Sequence, residues 1–197
     1  MNFVITAILA LTLGLVYASL FEWVLHRYVM HQSIMGFRYP FEAHALTHHR
    51  IFKSDPTYHL QREEDKRKIR MAWWNGPVLL VIGMIPFVAI SIVLARAGLW
   101  AECWIVSGTG VAISLGYYGA YEYFHWCMHL PKQRRVESSW LFMHMNGHHL
   151  LHHRNWKKNL NVVLPVADWL FGTLLLRSTT AFAQVRGPSV PDVQPLR

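Results

Sequence analysis

The chain has 197 residues, of which 53% are hydrophobic and only 15% charged, and it carries a formal charge of +8. An average soluble domain is about 25% charged, so the apolar surplus excludes an ordinary water-exposed shell and points to lipid as the surrounding medium; the length suits a single domain. The basic excess is a topology and lipid-headgroup signal, and no aromatic-plus-basic module accompanies it that would bind nucleic acid.

A hydrocarbon core about 30 Å thick takes roughly 20 helical residues to cross. Three stretches are apolar and long enough: residues 2–25, 74–95 and 101–124. The first lacks a basic leader and a small-residue cleavage site, and it flows into Glu22-Trp23-Val24-Leu25-His26, so it reads as a retained span rather than a signal peptide. It continues as a helix carrying Glu22, His26 and His31 until Gly36 and Pro40 mark a turn. A short helix over 41–50 and a charged helix over 57–71 follow, the latter placed along the headgroups. Pro77, Gly83 and Pro86 fall in or before the second span, where a membrane helix tolerates them and kinks.

The third span leads directly into His125 and His129. Beyond it, 131–135 is a basic turn, 139–154 a helix, and 160–176 an apolar segment interrupted by Pro165 and Gly172 that reads as interfacial or core-packing rather than spanning. Residues 1–177 thus form one membrane domain, and 178–197, rich in proline and polar residues, a flexible tail.

The basic residues orient the spans. Of 19 Lys and Arg, nine lie from Arg27 to Arg70, nine from Lys132 onward, and only Arg96 in the short connection between the second and third spans. Basic flanks favour the cytoplasmic side, which puts the N-terminus outside and both basic segments inside. Cys103 and Cys127 stand about 36 Å apart along the third span at 1.5 Å per helical residue, too far for a disulfide, and fit a reducing compartment.

Thirteen histidines are the outlying feature, and twelve fall into four groups. His26 and His31 are spaced HX4H, His44, His48 and His49 form HX3HH, His125 and His129 form HX3H, and His144, His148, His149, His152 and His153 form HX3HHX2HH. Spacings of three and four put side chains on one helix face, about 5–6 Å apart at Cβ, where two imidazoles can converge on one metal. Imidazole suits iron, copper, zinc and nickel. One ion takes four to six ligands, so ten clustered histidines imply two ions. Two crossings separate the first pair of groups from the second, which brings all four to the same, cytoplasmic face. A flexible metal-buffering tract would be contiguous, whereas these groups spread along predicted helices.

The runs from Glu22 to His31, His44 to His49, His125 to His129 and His149 to His153 closely resemble the fatty acid hydroxylase superfamily, which includes sphingolipid fatty acid 2-hydroxylases, sterol desaturases and methyl oxidases, and carotenoid hydroxylases. The resemblance covers roughly residues 21–173. It extends to a closing signature, N-x-G followed by W-D-x-L-F-G-T, although here Asn161 stands where glycine is usual and Ala167 where tryptophan is usual.

The resemblance implies an all-α fold of multi-pass membrane helices with a cytosolic, histidine-lined helical cap holding a dimetal site. Carried over residue by residue, the ligands are His26, His31, His44, His48, His49, His125, His129, His149, His152 and His153; three residues separate His44 from His48 where the hydroxylases commonly have two. His144 and His148 lie on the same helix outside the matched core and are further candidates. Glu22 and Asp168 are candidates to accept the distal imidazole N–H and fix its tautomer, and Asn159 to bridge through water.

An unactivated C–H bond offers nothing to acid–base or acyl chemistry, so its oxidation requires a metal cofactor that binds and splits dioxygen. The resemblance implies two iron ions, with zinc able to substitute in a purified form, a lipid substrate, and electrons from an external donor such as a ferredoxin, cytochrome b5 or a reductase. No G-x-G-x-x-G fingerprint is present for an internal flavin or nicotinamide. The expected activity is hydroxylation of a fatty-acyl C–H bond, with sterol or carotenoid hydroxylation or desaturation as the alternative. A zinc-dependent membrane hydrolase and a metal-binding membrane protein are the rival classes; no H-E-x-x-H motif supports the former. Phe21, Trp23, Trp73, Trp74, Tyr121, Tyr123, Phe124 and Trp126 belong to an interfacial aromatic belt or line a substrate channel. With no retrieval signal and a compact chain, a bacterial inner membrane is expected rather than the endoplasmic reticulum.

Overall fold

The computed structural model describes residues 3–34 and 36–176; the expected tail over 178–197 lies outside the described residues. Every regular element among the described residues is helical. The main helices are α1 (Phe3–Val24), α2 (Tyr39–Phe41), α3 (His49–Ile51), α4 (Asn75–Arg96), α5 (Trp100–His129), α6 (Trp140–Arg154) and α7 (Val166–Leu170). A π-helical turn, Leu25–Met30, prolongs α1, and a second, Glu42–His48, joins α2 to α3 in one continuous rod.

α5 packs against both α1 and α4. Small residues allow the close approach: the Phe87 ring lies against Gly110, where a Cβ would sit 2.5 Å from its Cγ, and Gly14 faces Ile113 and the same ring. Such small-residue packing is joined by an interhelical hydrogen bond. Ser107 Oγ donates to Ser91 Oγ at 2.8 Å across the α4–α5 pair. The hairpin between them closes on Gly98 at φ +77°, with the Leu99 N–H returning to the Leu94 carbonyl at 2.9 Å, a left-handed cap that favours glycine.

Two helical stretches, Phe3–Met30 and Asn75–Arg96, are long and apolar enough to cross a membrane. They carry apolar side chains outward, with Leu13 64% and Val81 70% exposed. α5, containing the third expected span, is longer but diluted by Ser107, Thr109, Ser114, four glycines from Gly108 to Gly119 and several tyrosines, because much of it packs against its two neighbours.

The expected charged helix over 57–71 is instead two 3-10 turns, Pro56–Tyr58 and Glu63–Lys68. Backbone groups here serve the histidine region: the Leu60 N–H donates to the His129 carbonyl at 2.8 Å, and the Tyr58 and Lys68 carbonyls face imidazoles. A continuous helix would have consumed them internally. The 160–176 segment contains only the five-residue α7 and does not cross. Leu160, Val162 and Ala167 are buried, Ala167 against α1, while Trp169, Leu170 and Phe171 are exposed.

Candidate metal centre

Ten histidines converge into two groups of five. His26, His31, His44, His49 and His152 form the first; His48, His125, His129, His149 and His153 form the second. Within each group one nitrogen per residue lies within 4.8 Å of all the others. Between them the two sets draw on all four of the histidine groups along the chain.

Local helix geometry sorts them. His125 and His129, and His149 and His153, lie four apart on α5 and α6, and each pair shares one face. His26 and His31, and His44 and His49, lie five apart. In an α-helix a residue five along is about 140° around the axis, which would point the two rings away from each other. The two π-helical runs fall on these pairs, and their i→i+5 hydrogen bonding stacks residues five apart over one another. Successive residues on a helix diverge by about 100°, so His48 and His49, and His152 and His153, each feed both groups. The two groups therefore adjoin, and the His49 and His153 rings stack across the boundary at 4.3 Å.

Five of the ten far nitrogens are tethered to backbone carbonyls. His129 Nδ1 meets the Tyr58 carbonyl at 2.7 Å, His152 Nδ1 the Lys158 carbonyl at 2.9 Å and His48 Nδ1 the Lys68 carbonyl at 3.2 Å. His26 Nδ1 meets the Leu160 carbonyl and His153 Nδ1 the Phe52 carbonyl. A carbonyl accepts only from a protonated Nδ1, so these contacts leave Nε2 as a bare lone pair directed inward. Burial, with neighbouring imidazoles second, holds His44, His49, His125 and His149 well below the ordinary histidine value, and burial pushes His48 down to about 3. Neutral imidazoles are the metal-binding form.

The donor set fits metal ions. Around an ion held at about 2.1 Å by each nitrogen, ligands at right angles lie about 3.0 Å apart and opposite ones about 4.2 Å. The Nε2 atoms of His26 and His44 are 2.9 Å apart, those of His31 and His152 3.1 Å, and those of His129 and His149 3.2 Å. His48 Nε2 and His125 Nε2 are buried without a hydrogen-bond partner among the described residues. A buried, unpaired nitrogen costs about 1–3 kcal/mol, a penalty that coordination would remove. Either group could hold a metal ion.

No family model, curated protein or solved structure matches the chain.

The remaining polar candidates sit elsewhere than expected. Glu22 touches no imidazole: its oxygens accept from Tyr117 Oη at 2.7 Å, Asn161 Nδ2 at 3.1 Å and the Val162 N–H at 2.5 Å. Asp168 pairs with His148, not with a member of either group. It accepts from His148 Nε2 at 2.9 Å, the Leu160 and Asn161 N–H groups at 2.9 and 2.8 Å, and Thr173 Oγ1 at 2.6 Å. Burial pushes the Asp168 carboxyl up, but these donors outweigh it and hold it below the usual value. His148 is thereby withdrawn from the clusters, and His144 stacks on Trp140 at 5.7 Å.

Asn159 adopts φ +54° and is locked by its own amide, which donates to the His148 carbonyl at 3.1 Å and accepts from the Leu175 N–H at 2.6 Å. Its left-handed turn sits between the Lys158 and Leu160 carbonyls that face His152 and His26. Asn161 does not occupy a left-handed conformation, so the usual glycine is unnecessary there; its side chain instead ties Ser19 and Glu22 to the Asp168 backbone. The backbone carbonyls of Phe52, Tyr58, Lys68, Lys158 and Leu160 are the functional groups that the sequence did not mark.

An apolar cavity between α1, α4 and α5 is lined by Tyr17, Phe21, Leu79, Phe87, Ile113 and Tyr121, among others, and reaches His26. A smaller pocket on His44, His48 and His125 shares Met30, Met71, Tyr121 and Glu122 with it. Of the aromatic residues singled out by sequence, Phe21 and Tyr121 line the cavity, whereas Trp73 and Tyr123 face outward. Trp156, half exposed, lies edge-on over His31 at 5.3 Å on the outer side of the first group.

Proposed function

We propose that the chain is a multi-pass membrane oxygenase that holds two iron ions on its ten histidines and hydroxylates a C–H bond of a lipid, a fatty-acyl chain first and a sterol or carotenoid as the alternative. The observation that carries this reading is the junction of two five-imidazole groups with an apolar cavity. Five nitrogens per ion leave room for one further ligand on a six-coordinate metal. That excess over the three protein ligands of hydrolytic zinc sites, in a buried and apolar setting, favours oxygen chemistry over hydrolysis or storage. In this reading α5 is the third crossing, and the basic segments place the histidines on the cytoplasmic side of a bacterial inner membrane.

Bound iron would supply the capacity to activate dioxygen with electrons from a ferredoxin, cytochrome b5 or reductase. The chain's own task is positioning. The carbonyls of Leu160, Lys158, Tyr58, Lys68 and Phe52 fix imidazole tautomers, so that lone pairs face inward with little reorganisation. Phe21, Leu79, Phe87 and Ile113 would bind the apolar chain and exclude water, and Met30 and Tyr121 would steer its end past His44, His48 and His125. Exclusion of water protects a reactive site from side reactions.

Lipid mass spectrometry of membranes expressing the wild-type chain beside His152→Ala tests the activity. A gain of one oxygen on a lipid, absent in the variant, is expected; loss of two hydrogens would shift the reading to desaturation, and identical lipid profiles would refute it.

A further inference from the structure

Glu122 is an ionisable residue inside a helix that the proposed topology places in the membrane, a position that is costly unless the group has a use. It lines both the apolar cavity and the small pocket on His44, His48 and His125, and so stands where the two meet. Its partners are few and distant. Tyr118 Oη donates to Oε1 at 3.3 Å, and Arg70 Nε lies 3.9 Å from Oε2. Arg70 is held off because its guanidinium stacks over Trp126, 4.4 Å from the ring centroid. Glu22, the other carboxylate on this cavity, accepts from three donors within 3.1 Å. Tyr118 is itself fixed: its hydroxyl lies across Gly76, where a Cβ would sit 2.7 Å away, so the absence of a side chain at the start of α4 keeps that hydroxyl aimed at Glu122.

An acceptor with unfilled capacity in an apolar cavity selects ligands that bring a donor. We infer that Glu122 is a specificity-determining residue that hydrogen-bonds a hydroxyl or amide N–H on the lipid, so that the substrate class is a lipid alcohol or N-acyl amide and not a free fatty acid. A carboxylate headgroup offers no donor and meets the Glu122 oxygens acceptor to acceptor, an unpaired and repulsive contact. Glu122 lies one turn before His125 on α5, about 5–6 Å away at Cβ. The carbon presented to the histidines therefore lies within a few bonds of the polar group, and the rest of the chain runs back between α1, α4 and α5.

This inference rests on the oxygenase reading for what happens to the lipid, but selective binding stands apart from it. The full chain in detergent is offered octadecanol, N-stearoyl ethanolamine, stearate and methyl stearate in equal amounts, and retained lipid is counted by native mass spectrometry. The alcohol and the amide are expected to be retained about ten-fold over stearate and over the methyl ester, the worth of one good buried hydrogen bond. Glu122→Gln, which presents a donor as well as an acceptor, is expected to admit stearate and narrow the gap to about two-fold. Tyr118→Phe removes a donor that competes for Oε1, is expected to widen the preference for the alcohol and the amide, and serves if the first variant folds poorly. Equal retention of stearate and octadecanol by the wild type, or an unchanged preference in both variants, overturns the inference even if lipids are oxidised. Selective retention with no oxidised lipid in wild-type membranes overturns the oxygenase reading and leaves the binding role intact.

Discussion

The two histidine groups are built by different means. The second takes four of its five members from α-helical pairs, His125 with His129 and His149 with His153, each on one face of a long helix. The first takes four of its five from pairs spaced by five residues, His26 with His31 and His44 with His49, which face one another because the helix widens to π at those points. The first also leans on the 158–160 carbonyls, which the Asp168 and Asn159 networks hold in place. One centre follows from regular helix geometry; the other depends on local departures from it and on a distant loop.

The sharpest way to break that comparison is to disturb the π-stacked register alone. Inserting one alanine after Ala45 spaces His44 and His49 by six, about 120° apart around a helix, and rotates His44 away from the first group. The expected result is loss of one metal ion per chain and an activity drop of at least about 100-fold, with the second centre still loaded; metal content by mass spectrometry checks it. Loss of both ions would show the two groups to be one cooperative site.

Asp168→Asn strikes the loop that supports the first group. It removes a buried carboxylate that satisfies four donors, and should cost about 3 kcal/mol of stability, read as a lower midpoint in detergent-monitored unfolding, with metal affinity at the first centre falling before that at the second. His148→Gln should give a smaller loss in the same direction, and equal effects on both centres would contradict the assignment of support to one of them.

Acid should act on both groups. Burial depresses the imidazole values of His44, His49, His125 and His149 on folding, so the unfolded chain binds more protons than the folded one. The linked stability is complete above the free-imidazole value, near 6.5, and is lost as pH falls through and below it. Metal retention measured from about pH 8 to pH 5 should follow the same direction, because protons compete for the same lone pairs. Retention that rises on acidification would contradict neutral imidazole ligation.

The smallest effect is expected far from either group. Gly110→Ala forces a methyl against the Phe87 ring and should cost about 1–3 kcal/mol by overpacking, while leaving metal content unchanged. A change in metal content would mean that the bundle and the histidine region are coupled.

Much of this organisation was legible in the sequence. The apolar runs marked α1, α4 and α5, and the HX3H spacings marked the faces of α5 and α6. The expectation that all four histidine groups emerge on one face agrees with their convergence in the structure. The partition into two fives was not legible, because it depends on π-helical turns for which the residues carry no distinct signature; the HX4H spacing was the one hint, since a separation of five fits no face of an α-helix. Glu22 was misplaced for a related reason, whereas Asp168 does accept an imidazole N–H, from His148 outside the two groups. A carboxylate near a histidine suggests a charge partner, yet for five of the ten clustered histidines a backbone carbonyl takes the Nδ1–H, and both carboxylates also hold backbone N–H groups of the 160–162 loop. The 57–71 segment looked helical by charge pattern, and its tertiary contacts with His48 and His129 override that preference.

The central claim is that ten imidazoles divide into two neighbouring five-nitrogen sites. Iron quantification joined to iron K-edge absorption on the full chain, produced with iron in excess and kept in mild detergent, tests it most directly. Two irons per chain, each with about five nitrogen or oxygen neighbours near 2.1 Å and a second metal close by, is the predicted result; a single ion with a shell of three or four nitrogens and no metal neighbour would contradict it.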